Sequence, residues 1–532
     1  MQLLMIIISY GIFHVLSKSG NIFENVIQKY HSYNVRPLAF VSDAYVFQWF
    51  GGNLYVLLVL MLVMHALNIF FICQIAKRLG VRLGTLFVVF TALSPLLIEG
   101  LYWISASTRI VVSMCLSLAS LYLLLLSFEE EPKSAEGVRN NKGWHTKKIV
   151  LIAGAIVLNL ICVGYYEQTI ALNLFLFAFV LILLKKYWYI LVPILSTTWI
   201  GAWYVYFMMH GEMQERGALS LGIRTVLSRL GQALDDVKVL FHRSIGEYLV
   251  ALGRGTNTAM LRPVLLVFVL LVLSVVFFYI CKNHLVESKE LQGENKNEKK
   301  EKVSQKQNSQ SRKIFGRYLK KFSLGILMIV APMLPFAVLA SSYTAKRNLY
   351  LPFFGIAIVI ELLLELVLSL VKNENIRRNM KECVVGFLLI TFVLANVDGL
   401  DNYHKIGTLD NQIAASFLKA LPDEAFEPGK VLVIHYDSDE LQKAKDVSSL
   451  VECSLEADWL FAGKIEVARE KAGSFSEVYI NPAEDMSADY EVYVSFLPEL
   501  TLEVESYLKR VCLDAHLCIP LRQAFSRTYG CQ

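Results

Sequence analysis

Long uncharged apolar runs recur along this chain, and they leave few folds open to it. Windows 54–76, 108–127, 187–209 and 262–281 each hold roughly 20 residues with almost no charge, the length a helix needs to cross about 30 Å of hydrocarbon. Within lipid such a run can only be helical, because each backbone polar group must be satisfied inside the segment. Composition agrees: 18% of the 532 residues are charged and 55% are hydrophobic, whereas roughly a quarter of an ordinary soluble domain is charged. The expected fold is an all-α polytopic membrane protein.

About eleven segments meet the length and polarity needed for a span: 1–16, 54–76, 84–99, 108–127, 149–164, 168–185, 187–209, 262–281, 323–341, 352–371 and 383–398. The first, MQLLMIIISYGIFHVL, lacks the basic region and small-residue cleavage site of a secretory signal. Basic clusters set the orientation. Lys77, Arg78 and Arg82, then Lys142, Lys147 and Lys148, then Lys185 and Lys186, then segment 282–322, then Arg377 and Arg378 all fall on one side if the spans alternate. By the positive-inside rule that side is the cytoplasm, which puts the N-terminus inside and the C-terminus outside. The net charge of +5 therefore reports topology, and no nucleic-acid motif accompanies it.

The membrane domain is expected over 1–399 and an extracytoplasmic domain over 400–532. Segment 285–312, rich in Lys, Glu, Gln, Asn and Ser, reads as a disordered cytoplasmic loop. In the outer loop 210–261, Ile223, Val226, Leu230, Leu234 and Val237 recur at helical spacing, which suggests an amphipathic helix on the membrane surface. In the tail, KVLVIHY (430–436) and YEVYVSF (490–496) read as strands of a small α/β unit. Cys453, Cys512, Cys518 and Cys531 permit one or two disulfides there, Cys512 with Cys518 first.

Charges gather where spans meet the outer surface: Arg36, Asp43, Glu99, Arg109, Glu167, Lys346 and Arg347. Interfacial anchoring explains an isolated Lys or Arg. It explains Glu99 and Glu167 poorly, since a carboxylate near hydrocarbon is costly unless paired or wet. Acids and cations on one leaflet suggest a polar cavity, with Arg suited to phosphate and a carboxylate suited to deprotonating a hydroxyl. No P-loop, dinucleotide fingerprint, HExxH, CxxC or GxSxG is present. No cofactor is required by any motif; a divalent cation is the one candidate. His65, alone within its span, reads as a helix-packing hydrogen bond before a metal ligand.

Several of these residues lie in a pattern that resembles a known family. Arg36-Pro37-Leu38, Phe50-Gly51, His65 and Asn68 resemble a block found in GT-C membrane glycosyltransferases, specifically bacterial relatives of the transmembrane-and-tetratricopeptide O-mannosyltransferases. Pro95, Glu99, Trp103-Ile104-Ser105 and Arg109 continue the resemblance, as do Glu167 opening a span and Arg347, Leu349, Tyr350 and Pro352. It covers much of 36–370; the tail lies outside it and lacks tetratricopeptide repeats. The resemblance implies an enzyme that moves a sugar from a polyprenyl-phosphate carrier to a glycan, lipid or protein acceptor at the outer face. It assigns phosphate to Arg109 and Arg347 with Lys346 as a weaker partner, places Arg36 in the same donor site, and leaves Glu99 and Glu167 to sugar hydroxyls or to holding the cations. The family's acidic pair in the first outer loop is missing: residues 17–35 hold only Glu24, and the next acid is Asp43. Either the start is too late, or Glu24 or Asp43 is the base, or activity is lost; Ser42-Asp43 also suits a helix cap. An O-antigen polymerase or ligase is a second reading. A non-catalytic transporter or flippase is a third, which a row of charges in mid-membrane would favour.

Overall fold

The computed structural model describes residues 36–39, 42, 54–97, 100–101, 104–129, 141–209, 222–254, 300–338, 346–371, 373–445, 453–456, 458–469, 476–482, 488–496 and 502–508. The chain divides into two units, with the boundary between residues 401 and 402. Among the described residues of the first unit the main helices are α1 (Leu54–Arg78), α2 (Thr85–Leu93), α3 (Ile104–Leu126), α4 (Asn141–Cys162), α5 (Glu167–Leu183), α6 (Leu191–Met209), α7 (Ile223–Arg254), α8 (Lys300–Val330) and α9 (Tyr350–Ser369), together with the first part of α10 (Glu374–Ala420), whose residues from 402 onward belong to the second unit. Seven helices among the described residues are long and apolar enough to cross a membrane. The protein is an integral membrane protein. The expected spans 1–16 and 262–281 fall outside the described residues.

Helix α1 shows how sequence sets a boundary. Lys77 and Arg78 occupy its last turn, where cations suit the helix dipole. Gly80 then adopts φ +73°, its N–H bonds to the Lys77 carbonyl, and the Val81 N–H bonds to the Ala76 carbonyl at 2.9 Å. This is a Schellman cap, which glycine reaches without steric penalty. Inside the bundle, polar side chains join α3, α4 and α5. Ser113 meets Thr169 at 2.7 Å, Ser117 donates to Asn173 at 2.9 Å, and Asn159 and Asn173 bond each other at 2.9 Å. Helices α8 and α9 cross where Gly325 faces Gly355: a Cβ on Gly355 would lie 2.8 Å from the Ile329 backbone N, so only glycine allows this approach.

Three expectations need correction. Span 84–99 is not one helix. It forms the nine-residue α2, then Ser94, then a 3-10 turn Pro95–Leu97, because Pro95 disfavours a helical conformation at the residue before it. At 1.5 Å per residue α2 reaches about 14 Å, half a bilayer. Residues 300–312 of the supposed disordered loop belong to α8, since Lys, Glu and Gln are good helix formers when continuous with an apolar span. Helix α7 exists, but its stripe is not simply laid on lipid. Ala233 and Val237, with Leu230 and Leu234, pack on Met333, Phe336 and Leu349, leaving Ile223 and Leu227 exposed.

The second unit is α/β. Strands β1 (Val431–Tyr436), β2 (Glu477–Ile480), β3 (Tyr490–Phe496) and β4 (Leu502–Leu508) form one sheet ordered β2-β1-β3-β4. The first three run parallel and β4 is antiparallel to β3. Strand residues Leu432, Ile434, Val478, Val492 and Val494 form a core with Ile413 and Phe417 of α10, Leu441 of α11 (Ser438–Lys445), and Phe461 and Ile465 of α12 (Asp458–Arg469). The two expected strands are β1 and β3. Cys453 is buried and free; Cys512, Cys518 and Cys531 lie outside the described residues.

Candidate functional site

The site is built on the start of α5. Just before it, the Leu38 N–H donates to the Gly164 carbonyl at 3.0 Å. A Cβ on Gly164 would sit 2.7 Å from Leu38 Cγ and 2.9 Å from Trp199 Cη2, so the Arg36–Leu38 segment rests directly on this turn. That contact delivers Arg36 to Glu167, the first residue of α5. Arg36 Nε donates to Glu167 Oε2 at 2.7 Å and Nη2 donates to Oε1. The guanidinium also lies 4.6 Å from the centre of the Tyr166 ring. A two-pronged Arg–carboxylate pair is strong and directional, and a carboxylate in the first turn suits the helix dipole. Glu167 therefore holds the Arg36 guanidinium in place.

The second wall is the 3-10 turn Lys346–Leu349, which leads into α9. The Tyr166 hydroxyl donates to Asn348 Oδ1 at 2.9 Å, and Gln168 Nε2 donates to the Asn348 carbonyl at 3.3 Å. Tyr350 fixes the other flank. His65 Nε2 lies 3.0 Å from the Thr91 carbonyl and Nδ1 lies 2.7 Å from the Tyr350 hydroxyl. A carbonyl only accepts, so Nε2 carries the proton and a neutral ring accepts the Tyr350 proton at Nδ1. Asn68 Nδ2 donates to the Tyr350 oxygen at 3.1 Å. His65 thus makes the helix-packing bonds expected of it.

Four of the residues singled out by sequence converge here. Tyr166 is acted on electrostatically by Glu167 and by Arg36, Arg347 and Arg109, and Arg109 acts on Glu167 as well. Tyr204 of α6 feels the same Arg36–Glu167 pair. Lys346 belongs to the turn, but its side chain lies outside the described residues, as do Glu24, Asp43 and Glu99. Ser42 is described, and its hydroxyl donates back to the Ala39 carbonyl at 3.0 Å. Sequence reasoning missed Tyr166, Asn348 and Tyr204. Tyr166 had a signal, an aromatic beside a buried acid, whereas Asn348 sat at an unspecified position between Arg347 and Leu349.

The break after α2 lies beside this wall. His65 is near the middle of the 25-residue α1, and it bonds Thr91, only three residues before the break at Ser94. The Ser94–Leu97 break therefore lies close to the level of the middle of α1. Pro95, Leu96 and Leu97 are buried, which is where irregular backbone is tolerated inside a membrane protein. Gly100 follows directly under Tyr350, a Cβ there meeting Tyr350 Cβ at 3.1 Å. The arrangement is a cluster of charged and polar side chains at the starts of α5 and α9.

A second charged group lies at the other end of α9. Lys321 of α8 pairs with Glu361 at 3.0 Å and with Glu365 at 2.9 Å, while Lys381 of α10 lies 3.8 Å from each of those carboxylates. Lys321 is 2% exposed and Glu361 0%. The Gly84 N–H donates to Glu361 Oε1 at 2.7 Å, and Lys320 reaches the Leu79 carbonyl at 3.3 Å. These contacts put the cluster level with the turn after α1. None of these four residues was singled out by sequence.

Among the described residues no group of three or more His, Cys, Asp or Glu side chains is placed to hold a metal ion, and both Glu167 oxygens are taken by Arg36. Comparison of the chain with protein-family models, with curated proteins and with solved structures finds no match.

Proposed function

We propose that the protein is a membrane glycosyltransferase that moves a sugar from a polyprenyl-phosphate carrier to a glycan, lipid or protein acceptor at the outer face of a bacterial plasma membrane. The observation that carries this reading is the convergence on Tyr166 of Arg36, Arg109, Arg347 and Glu167, drawn from segments far apart in sequence. A cluster of half-buried guanidinium groups suits a lipid-linked phosphate, and it would stabilise the charge on the departing phosphate as the glycosidic bond breaks. In this reading Arg109 and Arg347 hold the phosphate, Lys346 assists, and Arg36 is a fixed positive wall locked by Glu167. The acceptor hydroxyl loses its proton to Asp43 or Glu24 on the first outer loop, and Glu99 serves sugar hydroxyls. The description of Lys77, Arg78, Lys185, Lys186, Arg377 and Arg378 as inward-facing, with the α/β unit outside, belongs to the same proposal.

The test is turnover of a labelled polyprenyl-phosphate sugar by purified protein. Wild type should release polyprenyl phosphate. Arg109→Ala should slow release by roughly 100-fold or more, the scale of losing one charge-stabilising donor. One of Asp43→Asn and Glu24→Gln should abolish it. Turnover indifferent to all three substitutions would overturn the site assignment.

Transport is the second reading, favoured by the helix broken at Ser94–Pro95 and by the buried Lys321–Glu361 cluster. The cluster is charge-balanced and anchored at the inner turn by Gly84, which suits a structural clamp better than a mid-membrane ion path. Movement of intact donor across a vesicle membrane without release of polyprenyl phosphate would decide for transport.

A further inference from the structure

We infer that Asn348 is a positioning residue that holds Arg347 near Tyr166 by latching the Lys346–Leu349 turn to the start of α5, an inference that rests on the transferase reading. Asn348 is 5% exposed. It spends its side-chain oxygen on the Tyr166 hydroxyl at 2.9 Å and its carbonyl on Gln168 Nε2 at 3.3 Å. Both partners flank Glu167, so the element that locks Arg36 also fixes the residue next to Arg347.

The other side of the turn is held separately. Tyr350, two residues on, is tied to His65 and Asn68 of α1 and is buried at 1%. The turn is therefore pinned to two different helices, at Asn348 to the start of α5 and at Tyr350 to α1, and Arg347 immediately precedes the first pin. A four-residue 3-10 segment has weak internal geometry and does not hold a conformation by itself. Removing the Asn348 pin leaves the Tyr350 pin intact, so the bundle should keep its fold while Arg347 gains freedom. That freedom matters because a displacement of about 1 Å at a group acting on the reacting atoms costs about 100-fold in rate.

The Tyr166 hydroxyl is the natural second probe. Tyr166→Phe keeps the ring under Arg36 and removes only the hydrogen bond to Asn348. The experiment measures steady-state release of polyprenyl phosphate from a labelled polyprenyl-phosphate sugar, per monodisperse protein in detergent. It uses Asn348→Ala, Tyr166→Phe, the double variant, and Asn348→Ala in an Arg347→Ala background. Each single variant should lower kcat by roughly 10- to 100-fold with KM within about threefold. The double should be no slower than the worse single. In the Arg347→Ala background Asn348→Ala should have no further effect, whereas a general structural role would cost the same in both backgrounds.

Equal losses in the two backgrounds, or single variants within threefold of wild type, would overturn the positioning role and leave the transferase reading standing. Wild-type protein that turns over no donor would remove that reading instead. Hydrogen exchange of residues 346–350 then decides the latch: exchange at least tenfold faster in both single variants supports it, and exchange unchanged in either overturns it.

Discussion

Substitutions at Lys321 and Glu361 should expose how the α8–α9–α10 end of the bundle is held. The two charges are 3.0 Å apart and at most 2% exposed. At that spacing and an effective dielectric of about 20 their attraction is about 5 kcal/mol, most of it offset by the cost of removing both from water. Losing one partner alone strands the other, at about 3–5 kcal/mol. The surroundings make the two losses unequal. Lys321→Met leaves Glu361 with the Gly84 N–H at 2.7 Å and with Lys381 only at 3.8 Å, so it should cost the full amount. Glu361→Gln leaves Lys321 paired with Glu365 at 2.9 Å and an amide oxygen for Gly84, so it should cost about 1–3 kcal/mol, the price of one charged hydrogen bond. The double variant Lys321→Met/Glu361→Gln should cost at least about 2 kcal/mol less than the sum of the singles. Reversible unfolding of the full chain in mixed detergent and dodecyl sulfate, followed by circular dichroism, gives all three values. Additive costs, or a Lys321→Met variant within about 0.5 kcal/mol of wild type, would refute the clamp.

Gly355→Ala should cost about 2 kcal/mol or more in the same assay through overpacking at the α8–α9 crossing, whereas Gly316→Ala, whose Cβ would meet nothing within 4 Å, should be neutral or stabilising by up to about 1 kcal/mol. The α/β unit should show a stability minimum between about pH 6 and 8. Burial raises the Asp410 carboxyl from 3.8 to about 6, so its contribution is complete below about pH 4 and lost as pH rises through 6; burial lowers the Lys464 ammonium from 10.5 to about 8, so its contribution is present above about pH 10.5 and lost as pH falls through 8. Asp410→Asn should remove the acid limb and stabilise the unit at pH 7 by at most about 3 kcal/mol, read as slower exchange in strands 431–436 and 490–496 after correction for intrinsic rates; an unchanged acid limb would contradict the assignment. Glu167→Gln should destabilise the protein by about 2–4 kcal/mol, because it leaves the Arg36 charge without its counterion, and an unchanged dodecyl sulfate midpoint would contradict the lock.

Much of the membrane bundle was legible because a span announces itself by length and by the charges that end it. Helix α1 carries both signals in LYVLLVLMLVMHALNIFFICQIAKR. The α2 region failed because hydropathy does not distinguish a full span from half of one; Pro95 was the only local sign that the helix stops. The Arg36–Glu167 pair was visible as two stray charges, but its partners are 131 residues apart, and no local pattern joins them. The Lys321 cluster was overlooked although Glu361 and Glu365 stand one helical turn apart in an apolar run. Asking each intramembrane carboxylate for its cation would have raised Lys321 and Lys381 at the ends of neighbouring spans. In the α/β unit, β1 and β3 carry β-branched and aromatic runs. β2 is only four residues long, and β4, LEVESYL, alternates with glutamates and looks like an exposed segment until it pairs with β3.

The central claim is that Arg109 and Arg347 form one binding site for a lipid-linked phosphate. Binding of polyprenyl monophosphate to the full chain in nanodiscs tests it most directly, with Arg109→Ala, Arg347→Ala and the exposed Arg377→Ala compared. The account predicts saturable binding that weakens by at least about tenfold, about 1.4 kcal/mol, in each of the first two variants and is unchanged in the third. Binding that does not saturate, or that Arg377→Ala weakens as much as Arg347→Ala does, would contradict it.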